Sequence, residues 1–342
     1  MGYEPNELPT APSRDVVPKS DCKGKTIFEI KKLSLQKINI FIVDIVSPNH
    51  KAGFISIVGK PNVGKSTLMN ILVGERLSII TSKAQTTRHR IMGIVNGVHE
   101  GTDFQLVYSD TPGIIKPVYE LHKSMMHFVH GSLDDADVIL FVTDIFEKHD
   151  ENDVIEKLQR TETPILLIVN KIDLAKPDQI EEKINYWREG FKAAEVIPIS
   201  ALHQQNVGGL LDKIINFLPV HPPYFPKDEL TDKPERFFAA EIIREKIFTN
   251  YIKEVPYSCE VVVSGFKEKE DIIVVSAEIY VERTTQRAIL LGHKGERIKK
   301  VGIEARLEME KFFGKKIFLE QYIKVEPDWR NKRNKLERFG YE

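Results

Sequence analysis

The chain has 342 residues, enough for two or three domains with cores of their own. Its formal net charge of −1 means that any surface for nucleic acid must be local rather than spread over the molecule. Two cysteines without metal-ligand spacing argue against a disulfide scaffold, and the longest apolar runs are too short to span a membrane.

The first 50 residues differ in composition from the rest. Four prolines interrupt the opening stretch, which shows neither helical nor strand periodicity. A short apolar run at 38–46 could be an extra strand, a dispensable tail or an upstream region read into the protein. We interpret residues 1–50 as a poorly ordered extension. No basic region precedes a long apolar core here, so we expect a cytoplasmic rather than a secreted protein.

From residue 51 to residue 220, short apolar segments alternate with helical patterns. This alternation predicts an α/β domain with a mostly parallel sheet and helices on both faces. A nucleotide is expected beyond the carboxyl ends of the strands. The predicted strands are Phe54–Val58, Ile91–Val95, Phe104–Tyr108, Val138–Thr143, Ile165–Val169 and Val196–Ile199.

The stretch Gly59–Ser66, GKPNVGKS, fits the phosphate-loop pattern G-x-x-x-x-G-K-[ST] and lies between a predicted strand and a predicted helix. Its backbone N–H groups can cradle phosphate oxygens at the positive end of the helix. Lys65 is expected to reach the β and γ phosphates, and the hydroxyl of Ser66 to bind Mg²⁺. The predicted nucleotide-binding residues of this loop are Gly59, Asn62, Val63, Gly64, Lys65, Ser66 and Thr67.

Three further elements follow in order, each after a predicted strand. Asp110–Gly113, DTPG, offers a carboxylate for the Mg²⁺ shell and the Gly113 amide for the γ-phosphate. Asn170–Asp173, NKID, offers Asp173 to the N1–H and exocyclic amine of guanine, donors that adenine lacks in that arrangement. Ser200–Leu202, SAL, is the third element, and its Ala201 amide is expected to donate to guanine O6. Together these elements predict a guanine-nucleotide site, completed by Asp110, Asn170, Lys171, Asp173, Ser200, Ala201 and Leu202.

A polar segment between the first two elements, QTTRH at 85–89, can supply a hydroxyl that completes the Mg²⁺ shell. We choose Thr87, with Thr86 as the close competitor. The predicted metal ligands are thus Ser66, Thr87 and Asp110, and the predicted catalytic residues are Lys65, Thr87 and Gly113. Many GTPases place a glutamine just after D-x-x-G, but here that residue is Ile114. We therefore expect slow intrinsic hydrolysis.

A proline-rich linker at 221–235 separates this domain from a second one at 236–327, whose predicted order is α-β-β-α-α-β. Its loop Gly292–Gly295, GHKG, joins two helices and is surrounded by basic residues. Such a loop lets a nucleic-acid backbone approach closely, which predicts single-stranded RNA binding by Gly292, His293, Lys294, Gly295 and Arg297. An apolar groove is expected from Ile289, Leu290, Ile298 and Val301. Residues 328–342 form a basic tail that is expected to be solvated or to add phosphate contacts.

In their joint order these motifs resemble the Era family of bacterial GTPases, a G domain followed by a type II KH domain. The resemblance covers residue 52 to the end and includes KAQTTRHR at 83–90. It implies GTP and GDP as ligands with Mg²⁺, the 3′ end of 16S ribosomal RNA and the 30S subunit as partners, and a monomer. It also implies peripheral contact with the inner face of the cell membrane, a hydrophobic residue at position 114, and a K⁺ ion held with the help of Asn62.

Two alternatives remain open from the sequence. The G domain could be a slow structural clamp on an RNA-binding module, since Ile114 cannot orient water. A membrane-linked or tRNA-modifying G protein would share the nucleotide motifs, although the Gly292–Gly295 loop argues against it.

Overall fold

The computed structural model describes residues 49–81, 83–147 and 153–341. The expected extension at 1–50, including its apolar run, lies outside the described residues except for residues 49 and 50. In the described part of the chain, no helix is long and apolar enough to cross a membrane.

The first domain contains a six-stranded sheet in the order β2-β3-β1-β4-β5-β6. All neighbouring strands are parallel except β2 and β3, which form a hairpin. The hairpin turns at Glu100 and Gly101, both with positive φ, which matches the twist of the two strands. The strands are β1 Lys51–Val58, β2 Ile91–His99, β3 Thr102–Asp110, β4 Val138–Asp144, β5 Ile165–Asn170 and β6 Glu195–Pro198.

Helices cover both faces of this sheet, as the alternating pattern predicts. Strand β5 is buried at every position, which explains its continuous apolar run. Two separate apolar clusters fill the space between the sheet and the helices on its two faces. The predicted α/β class is therefore confirmed. The helices are α1 Lys65–Val73, α2 Glu120–Asp134, α3 Asp153–Arg160, α4 Pro177–Gly190 and α5 Gly208–Phe217, with a 3₁₀ turn at Ile172–Leu174.

The linker between the domains is bound along the edge of the sheet. Ile94 N–H donates to the carbonyl of Leu230 at 2.8 Å, and Thr231 Oγ1 donates to the carbonyl of Met92 at 2.7 Å. The side chain of Gln105 accepts from the backbone of Tyr224 at 2.7 Å. The proline-rich segment is therefore fixed to β2 and β3 rather than being a free tether.

The second domain has the predicted order of elements around a three-stranded sheet, β7-β8-β9. Strands β7 and β8 are antiparallel, whereas β8 and β9 are parallel. One face of the sheet packs on the long helices, with Val275, Ala277 and Ile279 fully buried. The elements are α6 Glu235–Asn250, α7 Val255–Ser258, β7 Glu260–Glu268, β8 Ile272–Val281, α8 Thr284–Leu291, α9 Glu296–Phe313 and β9 Lys316–Val325.

The C-terminal segment is folded, which differs from the expected solvated tail. A 3₁₀ turn at Trp329–Asn331 and helix α10, Arg333–Arg338, carry apolar side chains at intervals between the basic ones. Trp329 is fully buried and its Nε1 donates to the carbonyl of Ser258 at 3.0 Å. Leu336, Phe339 and Tyr341 join the apolar cluster on one face of the first sheet. The segment thus packs between the domains.

Candidate nucleotide site and RNA-binding loop

The phosphate loop can only be built with glycine at two of its positions. A Cβ at Gly59 would lie 2.0 Å from the carbonyl oxygen of Val142 in β4. Gly64 has φ of 103°, and a Cβ there would lie 2.1 Å from Nδ2 of Asn170. The loop is therefore pressed against the carboxyl ends of β4 and β5, and α1 starts directly from it.

Lys65 lies inside this loop. Its Nζ donates to the carbonyls of Gly59, at 3.0 Å, and Lys60, at 2.8 Å. Burial lowers the pKa of Lys65 to about 8, against the attraction of Asp110 and Glu147. Phosphate oxygens beside Nζ would favour the charged form, because an anion stabilises a buried ammonium.

Three of the predicted residues meet as a cluster of oxygen atoms. Ser66 Oγ donates to Asp110 Oδ2 at 2.7 Å and lies 2.9 Å from Thr87 Oγ1. Asp110 is fully buried, and burial raises the pKa of its carboxyl group, while the hydrogen bond from Ser66 opposes the shift. Its other oxygen, Oδ1, is buried without a hydrogen-bond partner. Such a cluster fits Mg²⁺, which prefers oxygen ligands from few protein groups together with phosphate oxygens.

The structure distinguishes Thr86 from Thr87, the two candidates for the metal ligand of this segment. Thr86 Oγ1 donates to the carbonyl of Lys83 at 2.8 Å and lies 2.6 Å from Thr81 Oγ1. Only Thr87 joins Ser66 and Asp110. The structure therefore favours Thr87 as the metal ligand of this segment.

Asn170 joins the phosphate loop to the last of the four elements. Its Nδ2 donates to the carbonyl of Val63 at 2.7 Å, and its Oδ1 accepts from the amide of Ala201 at 2.9 Å. The Ala201 amide, which the sequence predicts to donate to guanine O6, donates to Asn170 in this structure, and its role toward the base stays a prediction. The hydroxyl of Ser200 donates to Asp173 Oδ1 at 2.5 Å.

The remaining base-site residues surround Asp173. Its side chain is 18% exposed, so a base can reach the carboxylate. Lys171 forms an ion pair with Asp144 at 2.8 Å, which holds its side chain alongside the site. Leu202 is 74% exposed, and its part in the base site stays a prediction.

Gly113 and Ile114 lie against the phosphate loop. A Cβ at Gly113 would lie 2.7 Å from the backbone nitrogen of Pro61, and Ile114 N–H donates to the carbonyl of Gly59 at 3.0 Å. The side chain of Ile114 is buried in the apolar cluster. Position 114 thus offers no group that could orient a water molecule.

The second predicted loop forms a sharp corner between α8 and α9. Gly292 and Gly295 have φ of 68° and 79°, and Lys294 also has a positive φ. His293, Lys294 and Arg297 are exposed, so the corner presents positive charge and an open backbone. The guanidinium carbon of Arg297 lies 5.0 Å from the ring centroid of Tyr251, close enough for a cation–π contact. The loop can therefore bind a phosphodiester backbone.

Two of the four residues predicted for the apolar groove belong to the core instead. Leu290 and Val301 are fully buried, whereas Ile289 is 40% exposed and Ile298 is partly buried. Helical spacing predicted one apolar face, but it could not tell which of its members face the sheet.

The basic residues of the C-terminal segment are largely neutralised. Glu326 pairs with Lys332 at 3.2 Å and with Lys335 at 2.8 Å, and Arg330 forms an ion pair with Glu282. Acidic residues directly after β8 and β9 thus compete with phosphate for these side chains. The segment is a weaker candidate for RNA contact than the Gly292–Gly295 loop.

Sequence patterns assign no role to two charged residues that join the two domains. Arg88 is 2% exposed and reaches the second domain, as does Lys83. Both lie in the segment beside Thr87, but their partners lie more than 160 residues further along the chain. No local pattern could have indicated these contacts.

Comparisons with known proteins match two separate parts of the chain. A family model described as a 50S ribosome-binding GTPase matches residues 54–171, and a KH domain model matches residues 254–330. GTPase Era of Geotalea daltonii is 44% identical over 294 residues, covering 85% of this chain and 98% of that protein.

Two solved structures are similar over nearly the whole described chain. One is Era in complex with MgGDPNP and nucleotides 1506–1542 of 16S ribosomal RNA, and the other is a variant of Aquifex aeolicus Era bound to GDP·AlF4⁻. Each has a TM-score of 0.80 and 39% identity, and covers 85% of this chain and 99% of the solved one.

Proposed function

The chain belongs to the Era family of GTPases, and we propose that GTP controls its binding to the 3′ end of 16S ribosomal RNA during 30S subunit assembly. One observation carries the proposal: a guanine-nucleotide site and an exposed, basic GHKG corner occur in one chain that matches Era over 85% of its length. The solved complex of Era with nucleotides 1506–1542 of 16S ribosomal RNA supplies the RNA to be tested.

Each residue of the nucleotide site then has a defined task. Lys65 and the loop amides bind the β and γ phosphates, and the Gly113 amide donates to the γ-phosphate. Ser66 and Thr87 would hold Mg²⁺ through their hydroxyl oxygens, with the Asp110 carboxylate beside them, and the ion would neutralise charge on the phosphates. Asp173 selects guanine through two hydrogen bonds.

Hydrolysis in this site must proceed without a glutamine beside Gly113. We propose that a K⁺ ion near Asn62 supplies positive charge in its place, as the family resemblance implies. Asn62 has φ of 64°, which places it at the turn of the phosphate loop. Equal rates of GTP hydrolysis in K⁺ and Na⁺ buffers would remove this part of the proposal.

RNA binding is assigned to the second domain. Gly292, His293, Lys294 and Gly295 approach the backbone of a single strand, and Arg297 adds charge at the start of α9. A strand held here extends past Ile289, whose partly exposed side chain can pack on a base.

The setting of the protein comes from the family resemblance. We propose that it acts as a monomer in the cytoplasm and touches the inner face of the cell membrane only peripherally. Sedimentation of the purified protein with and without anionic vesicles tests both points, and a dimer or an absence of vesicle binding would contradict them.

The experiment that tests the proposal is crosslinking of the GTP-bound protein to cellular RNA, followed by sequencing of the bound fragments. We expect enrichment of the 3′ end of 16S RNA. A variant with Gly292→Asp and Gly295→Asp, which places two negative charges at the corner, should lose this enrichment while still binding GTP. Fragments from elsewhere in the RNA, or unchanged enrichment in the variant, would contradict the assignment.

A further inference from the structure

The segment 83–90, here called the switch segment, belongs by sequence to the G domain but places its long side chains in the second domain. Lys83 donates to the carbonyls of Phe248 and Tyr251 at the end of α6. The carbonyl of Phe248 lies in the last turn of α6, where the acceptors have no partner within the helix. The segment is thus attached at its start to the RNA-binding domain.

Arg88 attaches the other end of the segment. Its Nη1 donates to the carbonyl of Cys259 at 2.8 Å and to Glu260 Oε2 at 2.9 Å, and its Nη2 donates to the carbonyl of Tyr257 at 2.9 Å. Arg88 is 2% exposed. A buried guanidinium with this many fixed acceptors has one arrangement that satisfies it, so its position is strongly determined.

The acceptor side of this contact includes the end of the chain. Tyr341 is 1% exposed, and its hydroxyl donates to Glu260 Oε2 at 2.8 Å. Burial and the nearby Glu260 raise the pKa of Tyr341 well above its usual value, so the hydroxyl remains a donor at neutral pH. The ring of Tyr341 stacks on His89 with centroids 4.3 Å apart. We call Arg88, Glu260 and Tyr341 the interdomain node.

The node lies one residue away from the oxygen cluster. Consecutive Cα atoms are about 3.8 Å apart, so the position of Arg88 restricts that of Thr87. Thr87 Oγ1 lies 2.9 Å from Ser66 Oγ in the same structure. The contacts of Arg88 with the second domain and of Thr87 with the nucleotide site are therefore made together.

We propose that Glu260 and Tyr341 are positioning residues for GTP hydrolysis, which hold Arg88 and thereby keep Thr87 beside Ser66 and Asp110. Neither residue touches the nucleotide site, and both belong to the part of the chain that follows the G domain. This inference rests on the proposed function, since it takes Thr87 as a ligand of the Mg²⁺ shell.

If Glu260 and Tyr341 position Thr87, their loss should lower the affinity for GTP but not the affinity for GDP. Thr87 completes the metal shell only when the γ-phosphate is present, so loosening it should weaken a GTP analogue more than GDP. Couplings between sites are commonly worth about 5-fold to 150-fold in affinity. Tyr341→Phe removes a single hydroxyl and leaves the packed ring in place. We therefore expect the preference for the GTP analogue over GDP to fall by about 5-fold, near the lower end of this range.

The test compares Tyr341→Phe and Glu260→Gln with the wild-type protein. The ratio of dissociation constants for a non-hydrolysable GTP analogue and GDP is measured with Mg²⁺ present, together with kcat and KM. We expect the preference for the analogue to fall about 5-fold or more and kcat to fall with it, while GDP affinity stays within twofold. A general loss of packing would instead weaken both nucleotides.

Two control variants remove the same kinds of contact, an interdomain arginine pair and a tyrosine–glutamate hydrogen bond, at places that are not connected to Thr87. Arg76→Met removes another interdomain arginine, which pairs with Glu245 and Glu308. Tyr280→Phe removes a hydroxyl that donates to Glu278. Both should keep the wild-type ratio. An equal fall in Arg76→Met would show that the interface acts as a whole, and would overturn the role of the node.

Failure of the inference can be told from failure of the proposed function through Thr87→Ala. If Thr87→Ala lowers the preference for the analogue but Tyr341→Phe and Glu260→Gln do not, the node has no positioning role and the site assignment stands. If Thr87→Ala leaves the preference unchanged, Thr87 is not a ligand of the Mg²⁺ shell. Its assignment in the proposed function and the positioning role of the node are then both wrong.

Discussion

Asp173→Asn should exchange the base that the protein prefers. The carboxylate can accept from both N1–H and the exocyclic amine of guanine, and the hydrogen bond from Ser200 at 2.5 Å fixes its orientation. An asparagine turns one acceptor into a donor, which faces the guanine amine. Xanthine carries a carbonyl oxygen there instead, and it can accept from the new amide.

The size of the effect follows from these contacts. Hydrogen bonds to a charged group are worth about 1.5–3 kcal/mol each. Asparagine still accepts from N1–H, but that bond loses its charge, and the bond to the exocyclic amine is replaced by two donors that face each other. Because the Asp173 side chain is 18% exposed and water partly replaces what is lost, we take the lower value at each of the two positions. The expected loss is about 3 kcal/mol, or roughly 150-fold in the affinity for GDP.

Titration with fluorescent GDP and xanthosine diphosphate measures this exchange. Asp173→Asn should bind the xanthine nucleotide at least as well as it binds GDP. Asp178→Asn, which removes an exposed carboxylate at the start of α4, is the control and should behave as wild type. If Asp173→Asn keeps its GDP affinity within threefold, the base is read elsewhere and the assignment of Asp173 is wrong.

Three further predictions concern the metal shell, the phosphate lysine and the C-terminal segment. Thr87→Ala should weaken a Mg²⁺-bound GTP analogue more than Thr86→Ala does, because only Thr87 Oγ1 faces Ser66; the reverse order in a nucleotide titration would favour Thr86. Lys65 has a folded pKa near 8 against 10.5 when unfolded, so the nucleotide-free folded state binds fewer protons between these values. The free energy of unfolding of the wild type, minus that of Lys65→Met, should therefore rise between pH 8 and pH 10.5 by up to about 3 kcal/mol. Urea titrations measure this difference, and a difference that does not change with pH would contradict the prediction. Trp329→Ala should cost about 3–5 kcal/mol, since Trp329 is fully buried between the domains; a loss below 1 kcal/mol by circular dichroism in urea would show that the segment is dispensable.

Strong local patterns predicted most of the fold. The apolar runs of β4 and β5 were predicted to within one residue of the bounds that the structure has. Strand β2 was predicted to end at Val95, but it continues to His99 because pairing with β3 carries Asn96 and Gly97 into the hairpin. The length of β2 depends on its pairing with β3, and the strand propensities of the segment itself give no information on that pairing.

The C-terminal segment shows how composition can mislead. Five basic residues between 330 and 338 suggested a solvated tail, yet Leu336, Phe339 and Tyr341 recur at spacings that bring them to one side. Apolar residues interleaved with charges are typical of an amphipathic segment, but the surface that receives this one belongs to a distant part of the chain.

The nucleotide site was largely predictable because its residues act within short, ordered motifs. Thr86 and Thr87 could not be separated from sequence, since adjacent side chains in an extended segment point to opposite sides. The interdomain node could not be predicted at all, because Arg88, Glu260 and Tyr341 come together only when both domains have folded.

The central claim is that GTP controls binding to the 3′ end of 16S RNA. Its most direct test is the affinity of the purified protein for nucleotides 1506–1542, measured with a non-hydrolysable GTP analogue and with GDP at one salt concentration. We predict binding at least about tenfold tighter with the analogue, a ratio within the usual range of coupling between sites. Equal affinity in the two nucleotide states would contradict the claim.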